Sequence, residues 1–235
     1  MAKKIIKIAV DILMFLLLAL LMEEHLIPDG THEWLGISLF LMFILHNIWN
    51  YKWYAALFKG KYTAVRIIQT SVNFLLMAAV VGCIVSSMMI SGTVFAWMSI
   101  HSAEFGRQLH MLSTAWTFVL MSVHLGLHWA LFVNMARRIK MPIAAKAIVK
   151  WFLRIVAAAI GIYGIAVFVQ RAFYEELFLL TAFKNFDYGK TAVIYLLETA
   201  AMSAVFISLA YYAKMCILKI NKCRKAGGDK NEENN

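Results

Sequence analysis

The chain has 235 residues, 62% of them hydrophobic, with a mean hydropathy of +0.71 and two prolines. Soluble domains average about 45–50% apolar residues, so the composition excludes an ordinary soluble enzyme and points to a polytopic membrane protein. The formal charge of +10 raises the question of nucleic acid, but the placement of the charges answers it differently below; Cys83, Cys216 and Cys223 form no close pair, which excludes a disulfide framework and an iron–sulfur site.

The opening Met1-Ala2-Lys3-Lys4 resembles the start of a secretory leader. It runs into Asp11 and Glu23-Glu24 with no small-residue cleavage site, so it reads as a retained first helix, about residues 5–26. A polar turn at 25–31 contains Pro28-Asp29-Gly30. Helix two covers about 32–51, and a basic connector with Lys52, Lys59, Lys61 and Arg66 follows. Helix three covers about 67–90 without an internal basic residue. The segment 91–108, with Trp97, His101, Glu104 and Arg107, reads as amphipathic and interfacial. Helix four, about 109–135, leads into a second basic connector with Arg137, Arg138, Lys140, Lys146 and Lys150. Helix five covers about 151–169. The loop 170–190 mixes Glu175, Glu176 and Asp187 with aromatics, and helix six covers about 191–215. The tail, 216–235, is basic, then polar, and is expected to be disordered at its end.

The connectors alternate in charge. Of the 23 Lys and Arg residues, only Arg107, Arg171, Lys184 and Lys190 fall on one side, where Glu23, Glu24, Asp29, Glu33, Glu104, Glu175, Glu176 and Asp187 also lie. This is a positive-inside pattern. It predicts six spans with both termini cytoplasmic. The excess positive charge is then explained by topology and lipid contact rather than by nucleic acid.

Against that frame of alternating charge, four histidines stand out. His32 and His46 lie fourteen positions apart on helix two, and His110 and His124 lie fourteen apart on helix four. At 3.6 residues per turn, fourteen residues return to nearly the same face, roughly 21 Å along the axis. In a hydrocarbon core about 30 Å thick, each pair spans from one surface region to the other. The charge pattern runs both helices from outside to inside, so His32 and His110 share an outer level and His46 and His124 an inner level. Histidine inside a membrane span is costly, and a functional reading is the default. Two opposed imidazoles suit a low-spin haem iron and leave no open coordination position. Zinc wants three or four close ligands, which this spacing does not offer, and without Cys-x-x-Cys-His no covalent haem is indicated. A shift of 78 positions overlays His32 on His110 and His46 on His124, a shared constraint whose flanks differ. The expected fold is therefore all-α: six transmembrane helices with a four-helix core holding two non-covalent b-type haems about 20 Å apart.

Other residues carry weaker readings. His128, one turn after His124, is an alternative ligand or an inner-rim residue near a propionate or a proton path. Arg107, one turn before His110, suits a propionate or a lipid phosphate. Gly36 and Gly126 would admit a porphyrin face or let helices pack closely. His25 and His101 read as ordinary outer-surface loop histidines. Asp11 reads as paired with Lys7 one turn away, and Glu198 stays open between a proton relay and an outer-edge residue. The methionines fit adaptable packing, and Trp49, Trp53, Trp97 and Trp151 fit an aromatic belt.

The run His32-Glu33-Trp34-Leu35-Gly36 through His46, with the later His124-Leu125-Gly126-Leu127-His128-Trp129, resembles the flavinylation-associated cytochrome family. The likeness covers about residues 8–135. It implies a multi-pass b-type cytochrome of the bacterial inner membrane, with the four histidines as haem ligands. It further implies electron transfer between the quinone pool and an extracytosolic protein bearing covalent FMN; this chain shows no flavin-attachment motif, so any flavin belongs to the partner. The expected organisation is a dihaem core at 1–140, two added spans at 141–217 and a tail at 218–235. The alternatives are a ferric-reductase-like haem subunit, though no nucleotide-binding domain is appended, and a haem-free transporter or scaffold. Whether the chain oxidises quinol or reduces quinone itself stays open.

Overall fold

The computed structural model describes residues 2–98, 103–137, 143–181 and 189–232. Among them every regular element is helical, and no strand occurs. In chain order these are α1 (Ala2–Leu21), a single 3-10 turn (Glu24–Leu26), α2 (Asp29–Trp49), α3 (Tyr51–Ala56) and α4 (Ala64–Ile90). Then come α5 (Ala103–His128), α6 (Ala130–Arg137), α7 (Ile143–Gln170), α8 (Phe173–Leu177) and α9 (Ala192–Glu232).

Among the described residues, four helical stretches are long and apolar enough to cross a membrane: Ala64–Ile90, Glu104–Met135, Ile148–Gln170 and Ala192–Cys223. The second joins α5 and α6 into one span. In the stretch within α7, only 11% of the apolar window is buried inside the protein. Apolar surface on that scale needs a lipid surround. α1 and α2 are of similar length, at 20 and 21 residues, but carry polar groups within them: Asp11 on the first, His32, Glu33, His46 and Asn47 on the second.

Local chemistry sets several boundaries. Thr63 caps α4, its side chain accepting from the Arg66 amide at 3.3 Å. Asn50 leaves helical geometry between α2 and α3 and its amide donates back to the His46 carbonyl at 2.8 Å. Ala172 and Leu179 bracket α8 at φ +49° and +52°; each left-handed residue costs about 1–2 kcal/mol and turns the chain so that α8 tucks against α5 and α7.

α4 packs along α5, α5 along α9, and α9 along α7. The closest approaches sit on glycines. A Cβ on Gly126 would lie 2.4 Å from the Ile207 carbonyl oxygen, and one on Gly164 would lie 2.3 Å from that of Ala201. The tightest core forms where α5, α7, α8 and α9 meet the end of α1, around Phe118, Val167, Phe173 and Met202. α9 is thus integrated with the four-helix half of the molecule. α2 differs, because its main helical neighbour is α1. Between the α1–α2 hairpin and the α4–α5 pair the structure leaves a cavity of about 510 Å³.

Several boundaries differ from the sequence reading: α1 ends at Leu21 rather than near 26, and the short helices α3 and α8 fall where a connector and a loop were expected. The interfacial segment ends earlier, since α5 already begins at Ala103. α7 begins at Ile143 rather than near 151. α9 continues to Glu232 rather than ending near 215; Lys214, Leu218, Lys219, Lys222, Arg224 and Lys225 are good helix formers that carry it past the apolar stretch.

Candidate cofactor site at two histidine levels

At one level, expected from the charge pattern to be the outer one, His32 near the start of α2 faces His110 on α5. The ring centroids are 6.4 Å apart and the planes are inclined by 69°. Two imidazoles bound to opposite faces of one metal by bonds of about 2 Å would stand about 6 Å apart, centroid to centroid. The observed pair has that spacing. His110 Nδ1 lies 3.1 Å from Ser86 Oγ and 3.4 Å from Ser87 Oγ. Ser86 is fully buried and directs its own proton to the Gly82 or Cys83 carbonyl, at 2.7 and 2.9 Å. A hydroxyl has one proton to give, so Ser86 accepts from His110 Nδ1–H, and the lone pair is assigned to Nε2.

At the other level, expected to be the inner one, His46 from α2 and His124 and His128 from α5 line the 510 Å³ cavity. Its walls also include Asp11, Met14, Asn73 and Leu76, and Asn47, Asn50 and Tyr54 give it a polar end. His46 Nδ1 donates to Asp11 Oδ1 at 2.7 Å, while the Asn50 amide approaches His46 Nε2 at 3.3 Å. His124 Nδ1 donates to Asn73 Oδ1 at 2.8 Å. For His46, His110 and His124 alike, a polar side chain on the preceding helix holds Nδ1. That fixes the tautomer and ring orientation, which is what second partners of metal-ligating histidines do.

The remaining expected residues are placed as follows. The His128 ring lies 4.9 Å from that of His124 on the same cavity wall. Arg107 is exposed, one turn before His110 on α5. A Cβ on Gly36 would meet nothing within 4 Å, whereas Gly126 serves the α5–α9 contact. His101 lies outside the described residues. Asp11 does not pair with Lys7. Lys7 Nζ donates to the Trp49 carbonyl at 2.7 Å, and Asp11 turns to His46. His25 is not an exposed loop residue, with a side chain only 10% exposed.

Sequence reasoning missed Asp11, Asn73 and Ser86 as partners. A signal was present for two of them: Asn73 and Ser86 lie thirteen residues apart on α4, nearly the spacing of His110 and His124. Antiparallel helices with matched spacings bring both pairs together.

A second polar cluster lies near α8. Arg171 donates to Glu198 Oε2 at 2.8 Å, to Glu23 Oε1 at 2.7 Å and to the Tyr195 carbonyl at 3.2 Å. Lys190 donates to Glu198 Oε1 at 2.8 Å, a hydrogen bond that holds its ammonium above the usual range. The Thr199 hydroxyl donates to Glu23, and His25 Nδ1 lies 3.9 Å from Glu23 Oε2. Glu23 and Glu198 are 2% and 3% exposed. Glu198 is therefore one end of a buried ion network.

Among the described residues no group of three or more His, Cys, Asp or Glu is placed to hold a metal ion. In general, two opposed imidazoles suit a metal whose other ligands come from a macrocycle. No protein-family model, curated protein or solved structure matches the chain.

Proposed function

We propose that the chain is a dihaem b-type cytochrome that carries electrons across a bacterial plasma membrane. In this reading α1 and α2 join the four apolar stretches to give six spans, with both termini cytoplasmic. Quinone is the membrane-soluble redox partner, and an extracytosolic flavoprotein is the soluble one. The observation that carries the reading is the paired arrangement of imidazoles. His32 and His110 stand 6.4 Å apart, centroid to centroid, and His46 and His124 share one cavity. A volume of about 510 Å³ is within the range of cofactor pockets, about 300–1,000 Å³.

His32 and His110 would hold the outer haem, and His46 and His124 the inner one. The haems, when bound, supply one-electron chemistry. The chain's own residues bind and orient. Asp11, Asn73 and Ser86 fix imidazole tautomers, Met14, Leu76 and Leu125 keep the inner cavity apolar, and Asn47, Asn50 and Tyr54 give its rim polar contacts. Arg107 suits a propionate of the outer haem.

The test is a reduced-minus-oxidised spectrum and a haemochrome count on purified protein. The expected result is two low-spin b haems per chain. His46→Ala and His124→Ala should each lose the same haem, and His32→Ala and His110→Ala the other. Colourless protein from haem-sufficient cells would overturn the reading in favour of a haem-free transporter or scaffold.

A further inference from the structure

We propose that Asp11 sets the redox potential of the inner haem by acting through His46. This rests on the haem reading above and adds a residue that the ligand pattern does not contain. Asp11 sits on α1 among apolar residues, its side chain 47% exposed, and lines the cavity that holds His46. Its Oδ1 accepts from His46 Nδ1 at 2.7 Å, a short, charge-assisted geometry. Holding α1 against α2 is an insufficient reason for the acid, because Lys7 already ties the two helices one turn away through the Trp49 carbonyl.

A carboxylate that accepts the Nδ1 proton raises the basicity of the opposite nitrogen. A more basic imidazole, together with a negative charge nearby, favours the oxidised iron over the reduced one. The inner potential is therefore lowered. His124, across the cavity, is backed by the neutral amide of Asn73 instead. Asp11 thus supplies this level with a formal charge that the Asn73 contact does not.

The experiment is a potentiometric titration of the full-length protein in detergent, comparing the wild type with Asp11→Asn and Asp11→Glu. The wave missing from His46→Ala identifies the inner haem. Asp11→Asn should retain both haems and move the inner midpoint upward while leaving the outer one in place. Asp11→Glu should stay near the wild type. A purely structural strap would move neither wave. If Asp11→Asn does not hold the inner haem, Asn73→Asp supplies the converse, and its inner midpoint should fall. An unchanged inner midpoint in Asp11→Asn, or in Asn73→Asp where that variant is needed, overturns the role of Asp11 while the cytochrome reading stands. A wild-type protein without haem overturns both.

Discussion

His124 and His128 are neighbours on one helix face, and the residues behind them decide between them. His124 has its Nδ1 anchored on α4 through Asn73, at 2.8 Å. His128 sits one turn further along, towards the polar end of the cavity. His128→Ala is therefore expected to keep both haems, whereas His124→Ala loses the inner one; the haemochrome count on the two variants checks this. The four histidines were legible because helical periodicity is a property of one segment at a time. The partners Asp11, Asn73 and Ser86 were not, because an Nδ1 acceptor is defined by which helix lies alongside. Asp11 illustrates the difference. One turn from Lys7 it reads as a local ion pair, yet the neighbouring helix offers it an imidazole N–H and offers Lys7 a carbonyl.

At the scale of elements, the start of α2 is clamped by one carboxylate. Glu33, next to His32, accepts from Ser91 Oγ at 2.7 Å, Thr93 Oγ1 at 2.5 Å and the Gly92 and Val94 amides at 2.9 and 2.8 Å. This clamp ties the start of α2 to the turn that follows α4, where direct helix packing is sparse. Hydrogen bonds to a charged group contribute about 1.5–3 kcal/mol, so Glu33→Ala should cost about 3 kcal/mol or more. The expected outcome is a lowered melting temperature in detergent and preferential loss of the outer haem, with the inner haem less affected. Glu33 had counted only as one of the acids on the outer side. Its role depends on a turn nearly sixty residues away, which periodicity does not report. The long helices were legible; the short α3 and α8, which lie in stretches read as a connector and a loop, were not, and helix ends were less legible still. α9 overran its expected limit because charged residues end a membrane span without ending a helix.

At the scale of the whole molecule, the last two long helices are joined to the rest by chemistry as well as packing. Arg171, beyond the end of α7, bridges Glu198 on α9 and Glu23 beyond the end of α1. Removing one partner from a buried ion network leaves an uncompensated charge, at about 3–5 kcal/mol. Arg171→Leu should therefore sharply lower the yield of monodisperse protein and its melting temperature. Adding Glu198→Gln and Glu23→Gln should recover part of the loss; no recovery would mean that the arginine acts through packing alone. The sequence reading grouped these helices as an appendage to the four-helix half. Their anchoring was hidden because Arg171 and Glu23 are 148 positions apart.

The α4–α5 pair behaves as a graduated ruler. Thirteen residues down one helix and fourteen up the other, about 20 Å in each case, Ser86 meets His110 and Asn73 meets His124. A slip of α4 along α5 by one residue would break both contacts together, whereas a one-residue insertion in α4 between positions 73 and 86 would turn one of them by about 100° and leave the other seated. The two contacts thus share one mechanical coordinate, the position of α4 along α5.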